Sequence, residues 1–312
     1  IDYSTGEKAF LLEPQSTNLI PYSEDFSNSS WTKQSNITPT YNTTETLSPN
    51  GTYNATKFVG NGSDGVYKVN ISITGIVTRS VYLKSVTGSV NVKLKDPNFT
   101  ATIKTLSVTN EWQRFELSED NGGSLQGIWI DDIPSSGIYM WGAQIEALPY
   151  ATSYIPTYGA SATRNQELCN NATPVINSEE GTLYAEISAL ADDLSFRTIS
   201  ISDGTTSNRC VLRYGGTTNY VNVLIFSGGS SVFDNNYALS DITDFSKIAV
   251  KWKENDFALW VNGVERKTDT SGSAPIGLSE LQLSNYNNSS NNFYGNTKDL
   301  KVYPKALADV QL

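Results

Sequence analysis

The feature that most constrains this chain is a two-residue alternation of apolar and polar side chains, repeated in short runs along most of its length. Val66 to Ile73 alternates, as do Arg79 to Lys84 and Ser89 to Lys95, and Trp112 to Leu117, Gly127 to Ile133 and Ile138 to Ile145 read as further strands. On an extended backbone successive side chains point to opposite faces, so each run predicts a strand with one face for a core and one for water. Turn residues punctuate the runs: Asp96-Pro97-Asn98, Asn121-Gly122-Gly123 and Pro134-Ser135-Ser136-Gly137. Many short strands between Gly, Pro and Asn turns predict a sandwich or barrel rather than βαβ units.

A second series begins at Gly181 to Ile187. It continues through Thr198–Ser202, Cys210–Tyr214, Tyr220–Phe226, Lys247–Trp252, Phe257–Val261, Leu278–Leu283 and Lys298–Val302. Asn262-Gly263 is a hairpin signal, because a tight two-residue hairpin needs positive φ at both central positions. A helical turn is expected only at the end, with Pro304 at its first position and residues 305–312 following. The small and polar stretch Pro156 to Asn165 reads as a joining segment. The predicted architecture is all-β with two tandem β-sandwich (jelly-roll) domains: residues 1–157 with an N-terminal lead-in, a linker at 158–178, and residues 179–312. No internal repeat relates the halves.

Composition narrows the partners. The net charge of −10 divides evenly: residues 1–160 carry 10 basic and 15 acidic side chains and residues 161–312 carry 12 and 17, so each half is −5. Phosphate backbones and anionic membrane surfaces require clustered Lys and Arg, so nucleic acid is not an expected partner, nor is a charged lipid surface. No apolar run reaches 18 residues, so no membrane insertion is expected. Residues 1–6 lack the pattern of a signal peptide. The chain has no histidine, which removes the commonest general base and metal ligand. Its two cysteines, Cys169 and Cys210, are too few for a disulfide framework; Cys210 in its apolar setting reads as a small buried hydrophobe, and a bridge between the two stays open.

Two sets of motifs carry resemblances. Leu11-Leu12-Glu13-Pro14-Gln15-Ser16-Thr17-Asn18-Leu19, Tyr22 to Ser27, Trp31, Trp141 to Glu146 and Tyr150 to Thr157 make the first half similar to family 4/9-type carbohydrate-binding modules, in the variants found in phage virion proteins. That resemblance implies a jelly roll, with Trp31, Trp112 and Trp141 in its core. Gly181 to Glu186, Lys247 to Trp252 leading into Ala258 to Val264, and Tyr294 to Leu307 make the second half resemble the concanavalin A-like lectin/glucanase superfamily, laminin G-like branch. Such modules often hold structural Ca²⁺ through oxygen ligands. The acidic position near the N-terminus corresponds to Glu24 or Asp25, although Gly142-Ala143-Gln144 stands where related modules carry aspartates. Asp203 in Asp203-Gly204-Thr205 is a second candidate ligand, with turn formation as its plainer role.

Catalytic chemistry is not expected. Enzymes on the concanavalin A-like fold commonly present Glu-x-Asp-x-x-Glu on one strand, and that string is absent. The pairs Asp131-Asp132, Glu179-Glu180 and Asp192-Asp193 are sequence neighbours, which a strand would send to opposite faces. A sugar site needs an exposed ring beside hydrogen-bonding side chains, because the apolar face of a pyranose stacks and amides or carboxylates read its hydroxyls. In the first half, Tyr82 and Lys84 alternate with Val81 and Leu83, and Trp129 and Asp131 alternate with Ile128 and Ile130. The four polar or aromatic residues are expected to line one surface, the alternative being Trp129 packed as core. In the second half, Trp260 and Asn262 face away from Phe257, Leu259 and Val261, with Tyr220 and Asn222 on the same face. Tyr286 opens an Asn-rich loop running to Asn292. The sequence therefore predicts a non-catalytic protein that binds a polysaccharide or cell-surface glycan. It would sit on a bacteriophage tail or capsid surface, touching other virion proteins, or be secreted. The rivals are a decoration protein with protein contacts only and a polysaccharide-active hydrolase or lyase.

Overall fold

A computed structural model describes residues 8–98, 103–120, 122–169, 172, 174–286 and 290–312. The described secondary structure is β-strand apart from a single 3₁₀ turn, Asp309–Gln311, and all strand pairings are antiparallel. Contacts divide the chain into two units, Gln15–Asn165 and a second made of residues 8–14 with Gln166–Leu312.

The first unit is a sandwich of two five-stranded sheets. One runs in the order Gln113–Glu119, Val77–Ser85, Ile138–Glu146, Thr56–Val59, Thr38–Thr40; the other runs Thr32–Lys33, Val66–Ser72, Leu125–Asp131, Val90–Lys95, Ile103–Val108. The alternation reads through: Val81 and Leu83 from the first sheet meet Ile128, Ile130 and Leu94 from the second, all fully buried in one apolar core. Trp31 packs in that core against Phe26, with ring centroids 4.9 Å apart. Trp112 and Trp141 do not share it. Trp112 is half-buried and donates its indole N–H to the Leu47 carbonyl at 2.7 Å, whereas Trp141 is buried beneath Tyr154, 4.6 Å away, outside the core cluster.

The second unit pairs a six-stranded sheet, ordered Phe10–Leu12, Gly295–Tyr303, Glu180–Ala189, Ser246–Lys253, Phe257–Val261, Val264–Asp269, with a five-stranded meander, Ser230–Ala238, Tyr220–Ser227, Arg209–Tyr214, Arg197–Ser202, Glu280–Gln282. Phe257, Leu259 and Val261 enter the core with Leu183, Ile248 and Trp252. Asn262 (φ 51°) and Gly263 (φ 75°) both take the positive φ of a type I′ hairpin, as their sequence required. Gly181 lies opposite Trp252 in cross-strand register, and a Cβ there would sit 2.1 Å from the indole ring, so only glycine fits.

Three expectations about organisation change. Phe10–Leu12 is not a lead-in to the first sandwich; it pairs with Gly295–Thr297 and sinks Leu12 into the second core. An edge strand presents unpaired N–H and C=O groups, and an apolar tripeptide satisfies them wherever it can reach. Ala162–Arg164, placed in a linker by composition, pairs with Ser16–Asn18 inside the first unit. Residues 305–312 form no helix beyond the 3₁₀ turn; Ala306 and Leu307 donate their N–H groups to the side chains of Glu180 (3.4 Å) and Thr182 (3.1 Å). Both cysteines are free thiols, and Cys210 is fully buried, where burial pushes its thiol well above the ordinary range.

Candidate functional site

The predicted surface of Tyr82, Lys84, Trp129 and Asp131 does not exist as one surface. Tyr82 and Lys84 lie on Val77–Ser85 of one sheet and Trp129 and Asp131 on Leu125–Asp131 of the other. Their aliphatic neighbours fill the space between the sheets, so the two pairs face opposite ways. Tyr82 is packed against Trp141 (5.3 Å) and under the Arg114 guanidinium (5.5 Å), and Lys84 donates to Thr46 Oγ1 at 3.2 Å. Trp129 stacks on Tyr67 at 5.2 Å and is capped by Lys95, whose Nζ lies 3.6 Å from the ring centroid and 2.6 Å from Asp131 Oδ2. In both clusters neighbouring side chains cover the rings, so neither presents an open platform.

The first unit instead opens a cleft of about 330 Å³ lined by Tyr22, Glu24, Asp25, Asn42, Asn54 and the Thr157-Tyr158 pair. Its frame is a pair of extended segments. Ser23 N–H donates to Thr157 Oγ1 at 3.0 Å, Thr157 N–H donates to Ser23 Oγ at 2.9 Å, and Tyr22 bridges Tyr158. Beneath them Trp31 donates its indole N–H to the Tyr22 carbonyl at 2.8 Å, which ties the cleft wall to the core. Tyr158 is 81% exposed, an unusually open ring for so large a side chain.

Glu24 forms the inner wall. One carboxylate oxygen accepts from Asn54 Nδ2 at 2.7 Å and the other from the Tyr154 hydroxyl at 3.1 Å. Burial outweighs these bonds and raises its carboxyl above the ordinary range; burial likewise pushes Tyr154 up. Asp25 is exposed, and its Oδ1 accepts from the Ser27 N–H at 3.0 Å. Glu24 and Asp25, predicted as metal ligands, thus belong to the wall of a polar cleft. Asp203 is occupied by its own turn: Oδ1 accepts from Thr205 N–H (2.8 Å) and Thr205 Oγ1 (2.6 Å), and Oδ2 from Asn208 Nδ2 (2.9 Å). Burial works against the charge there, but the bonds from Thr205 and Asn208 outweigh it and hold the carboxyl below its usual value. Ca²⁺ takes six to eight oxygens, and among the described residues no three acidic, Cys or His side chains group closely enough to share an ion.

In the second unit Tyr220 and Asn222 are on the five-stranded sheet and Trp260 and Asn262 on the six-stranded one, so they too fail to share a face. The outer face of the six-stranded sheet carries a groove of about 470 Å³. Its floor is one cross-strand row: Lys301 opposite Tyr184, Tyr184 opposite Ala249, Ala249 opposite Trp260. The small Ala249 leaves a trough between the two rings, with Lys247, Asp299 and Tyr303 along the sides. Trp260 is only 9% exposed and packs with Tyr184 and Leu312; its indole N–H has no acceptor among the described residues. Asn262 borders this groove, but its Oδ1 is used by the Lys247 N–H at 2.9 Å to close the hairpin. Tyr286 lies apart, with its ring 5.3 Å from the Arg209 guanidinium; residues 287–289 of its loop lie outside the described residues.

Tyr22, Asn42, Asn54, Tyr158, Tyr184 and Tyr303 line the two grooves without having been expected there. Four of them sit in or beside loops, where period two carries no signal; Tyr184 and Tyr303 do alternate with core residues, and that was a usable sign.

Residues 162–312 match a laminin G-type family model described as the concanavalin A-like lectin/glucanases superfamily. The C-terminal half is a concanavalin A-like domain. The N-terminal unit is a β-sandwich of different strand order. A search of curated proteins finds no match. Among solved structures, the chain is similar to the CBM40 of the Ruminococcus gnavus IT-sialidase bound to α2,3-sialyllactose, with 17% identity over 44% of this chain and 82% of that one and a TM-score of 0.37. It is also similar to the CBM22-1–CBM22-2 tandem of Paenibacillus barcinonensis Xyn10C (10% identity, 96% and 98% coverage, TM-score 0.31) and to domains LG4-5 of the mouse laminin α1 chain (11%, 80% and 90%, TM-score 0.32). Such scores leave the function to the chain's own residues.

Proposed function

We propose that this chain is a non-catalytic glycan-binding protein. The observation that carries the reading is the cleft at Tyr22 and Tyr158. There an exposed ring for stacking on a pyranose stands beside two carboxamides and two carboxylates able to accept from and donate to hydroxyls. A volume of about 330 Å³ suits a short stretch of sugar. The Tyr184–Trp260 groove supports the reading from the lectin-type domain, because it sets two aromatic rings about the small Ala249 with Lys247 and Asp299 at its sides.

Three features support a binding rather than a catalytic role: no histidine, no Glu-x-Asp-x-x-Glu string in the sequence, and Glu24 held by two donors. The resemblance of residues 11–164 to virion modules supports a place on a bacteriophage tail or capsid surface, with secretion as the rival. Affinity electrophoresis of the full chain through gels containing neutral polysaccharides tests the binding. Retardation by at least one polysaccharide, weakened about tenfold by Tyr158→Ala, is the expected result. Free migration in every gel sinks the reading, and release of reducing ends or unsaturated products converts it to an enzyme.

A second reading, a decoration protein with protein contacts, is favoured by the covering of the Trp129 ring by Tyr67 and Lys95 and by the burial of Trp260. It predicts that Trp129→Ala and Trp260→Ala impair folding or assembly while leaving polysaccharide retardation unchanged.

A further inference from the structure

On the five-stranded meander, Cys210, Leu212 and Tyr214 are buried in the core, so Arg209 and Arg213 project from the opposite face. Each guanidinium lies over aromatic rings: Arg209 is 4.5 Å from Phe226 and 5.3 Å from Tyr286, and Arg213 is 4.3 Å from Phe196. Both are half-buried, and burial pulls both below the ordinary arginine value. Arginine nevertheless stays charged at any working pH.

Their partners are neutral. Arg213 Nε donates to Asn222 Oδ1 at 2.8 Å, Arg209 reaches Asn285 Oδ1 at 3.3 Å, and Arg209 Nε has no acceptor among the described residues. No carboxylate lies within ion-pair distance of either guanidinium among the described residues. The buried cations among the described residues are paired, Arg79 with Asp96, Lys95 with Asp131 and Arg197 with Asp193, whereas half-buried Arg114 shares the state of Arg209 and Arg213, with the Thr152 carbonyl and Ser80 Oγ as its partners. Arg213 has only the exposed Asp234, beyond ion-pair distance, as a counter-charge, so both guanidiniums keep donor capacity for an external anion.

We propose that this face is a second binding surface, taking an acidic polysaccharide through the carboxylates of its sugars. The guanidinium fork matches a carboxylate, and Phe226, Tyr286 and Phe196 offer stacking surface for the rings between successive charges. Arg209 and Arg213 are four residues apart on one strand, about 13 Å, so a chain of sugars rather than a monosaccharide engages both. Asn222, held between Arg213 and the Asn235 carbonyl, fixes the geometry of the middle of the face. Asp234, exposed and bonded to Asn222 at 3.4 Å, is its acidic neighbour and sets an internal brake on anion binding. This surface is independent of the Tyr22–Tyr158 cleft, and each can fail alone.

Isothermal titration of the full chain at low salt with polygalacturonate oligomers, and with the same oligomers methyl-esterified, tests it. The acid form is expected to bind at least tenfold more tightly than the ester, and added NaCl weakens the acid form alone. Arg209→Gln with Arg213→Gln lowers acid-form affinity at least tenfold while leaving neutral-polysaccharide retardation intact. Asp234→Asn, at an exposed position that risks little in folding, strengthens it several-fold. Equal affinity for acid and ester, or an unchanged affinity in Asp234→Asn together with the double variant, overturns the proposal. Equal binding of poly-glutamate also overturns it, reassigning the face to acidic peptides.

Discussion

Replacing Arg79 by Met should unfold the N-terminal sandwich more readily than any surface change in the chain. Arg79 lies on the core face of its strand and is fully buried. Its guanidinium donates to the Gly127 carbonyl at 2.7 Å, Asp96 Oδ2 at 2.9 Å and Gln126 Oε1 at 3.1 Å, and pairs with Glu119. Gly127 and Gln126 belong to the facing sheet, so one side chain ties the two sheets together. The side chain of Asp96 is fully buried and that of Glu119 nearly so. Methionine fills much of the volume but leaves both carboxylates without their cation, a defect that costs about 3–5 kcal/mol. Against a total stability of roughly 5–15 kcal/mol that is a large fraction. With a urea slope of about 2 kcal/mol/M, the unfolding midpoint falls by roughly 2 M. Urea titration followed by tryptophan fluorescence reads it, with Arg79→Met, Asp96→Asn and Glu119→Gln combined as the control. Removing all three charges restores most of the loss, because the neutral set no longer strands an ion. A loss under about 1 kcal/mol in the single variant, or a triple variant no better than the single, would refute the clamp.

Other outcomes are equally specific. Gly181→Ala drives a methyl group into the Trp252 ring and should cost about 1–3 kcal/mol, partly recovered by adding Trp252→Phe; urea melts that leave Gly181→Ala at wild-type stability would contradict the packing. Glu24 has a carboxyl raised by burial, so its folded pKa lies above its unfolded one. Its stabilising contribution is full below the unfolded value and is lost as pH rises through the raised one. The melting temperature of Glu24→Gln relative to wild type should therefore climb as pH rises from the ordinary glutamate range through the raised folded value and level off above it, and a difference that grows on acidification reverses the sign. Asn262→Ala removes both a side chain suited to positive φ and the bond to Lys247, and should lower the thermal midpoint by a few degrees, checked by circular dichroism.

Legibility followed the range of the interaction. Strands such as Val66–Ser72, Ile138–Glu146 and Phe257–Val261 were readable because alternation is a local consequence of an extended backbone. Ile103–Val108, Ser230–Ala238 and Val264–Asp269 escaped: the first and last are largely exposed, so little apolar patterning marks them. The face of each side chain relative to its own sheet was right for Val81, Leu83, Ile128, Ile130 and Leu259. Which sheet each strand joined was not readable, so Tyr82 was set beside Trp129 and Tyr220 beside Trp260, pairs that the structure sends to opposite surfaces. Arg79 follows the same alternation into the core, and nothing near it in sequence announces Asp96, Glu119 or Gln126.

The all-β class, the I′ turn at Asn262-Gly263 and the core alternation follow from single residues and their neighbours, since period and φ preference are properties of a short segment. The capture of Phe10–Leu12 by Gly295–Tyr303, the cleft of Tyr22 with Tyr158, and the unpaired guanidiniums of Arg209 and Arg213 were decided by tertiary structure. Each depends on which distant groups a folded chain brings within hydrogen-bonding or stacking distance, and a linear pattern does not carry that information.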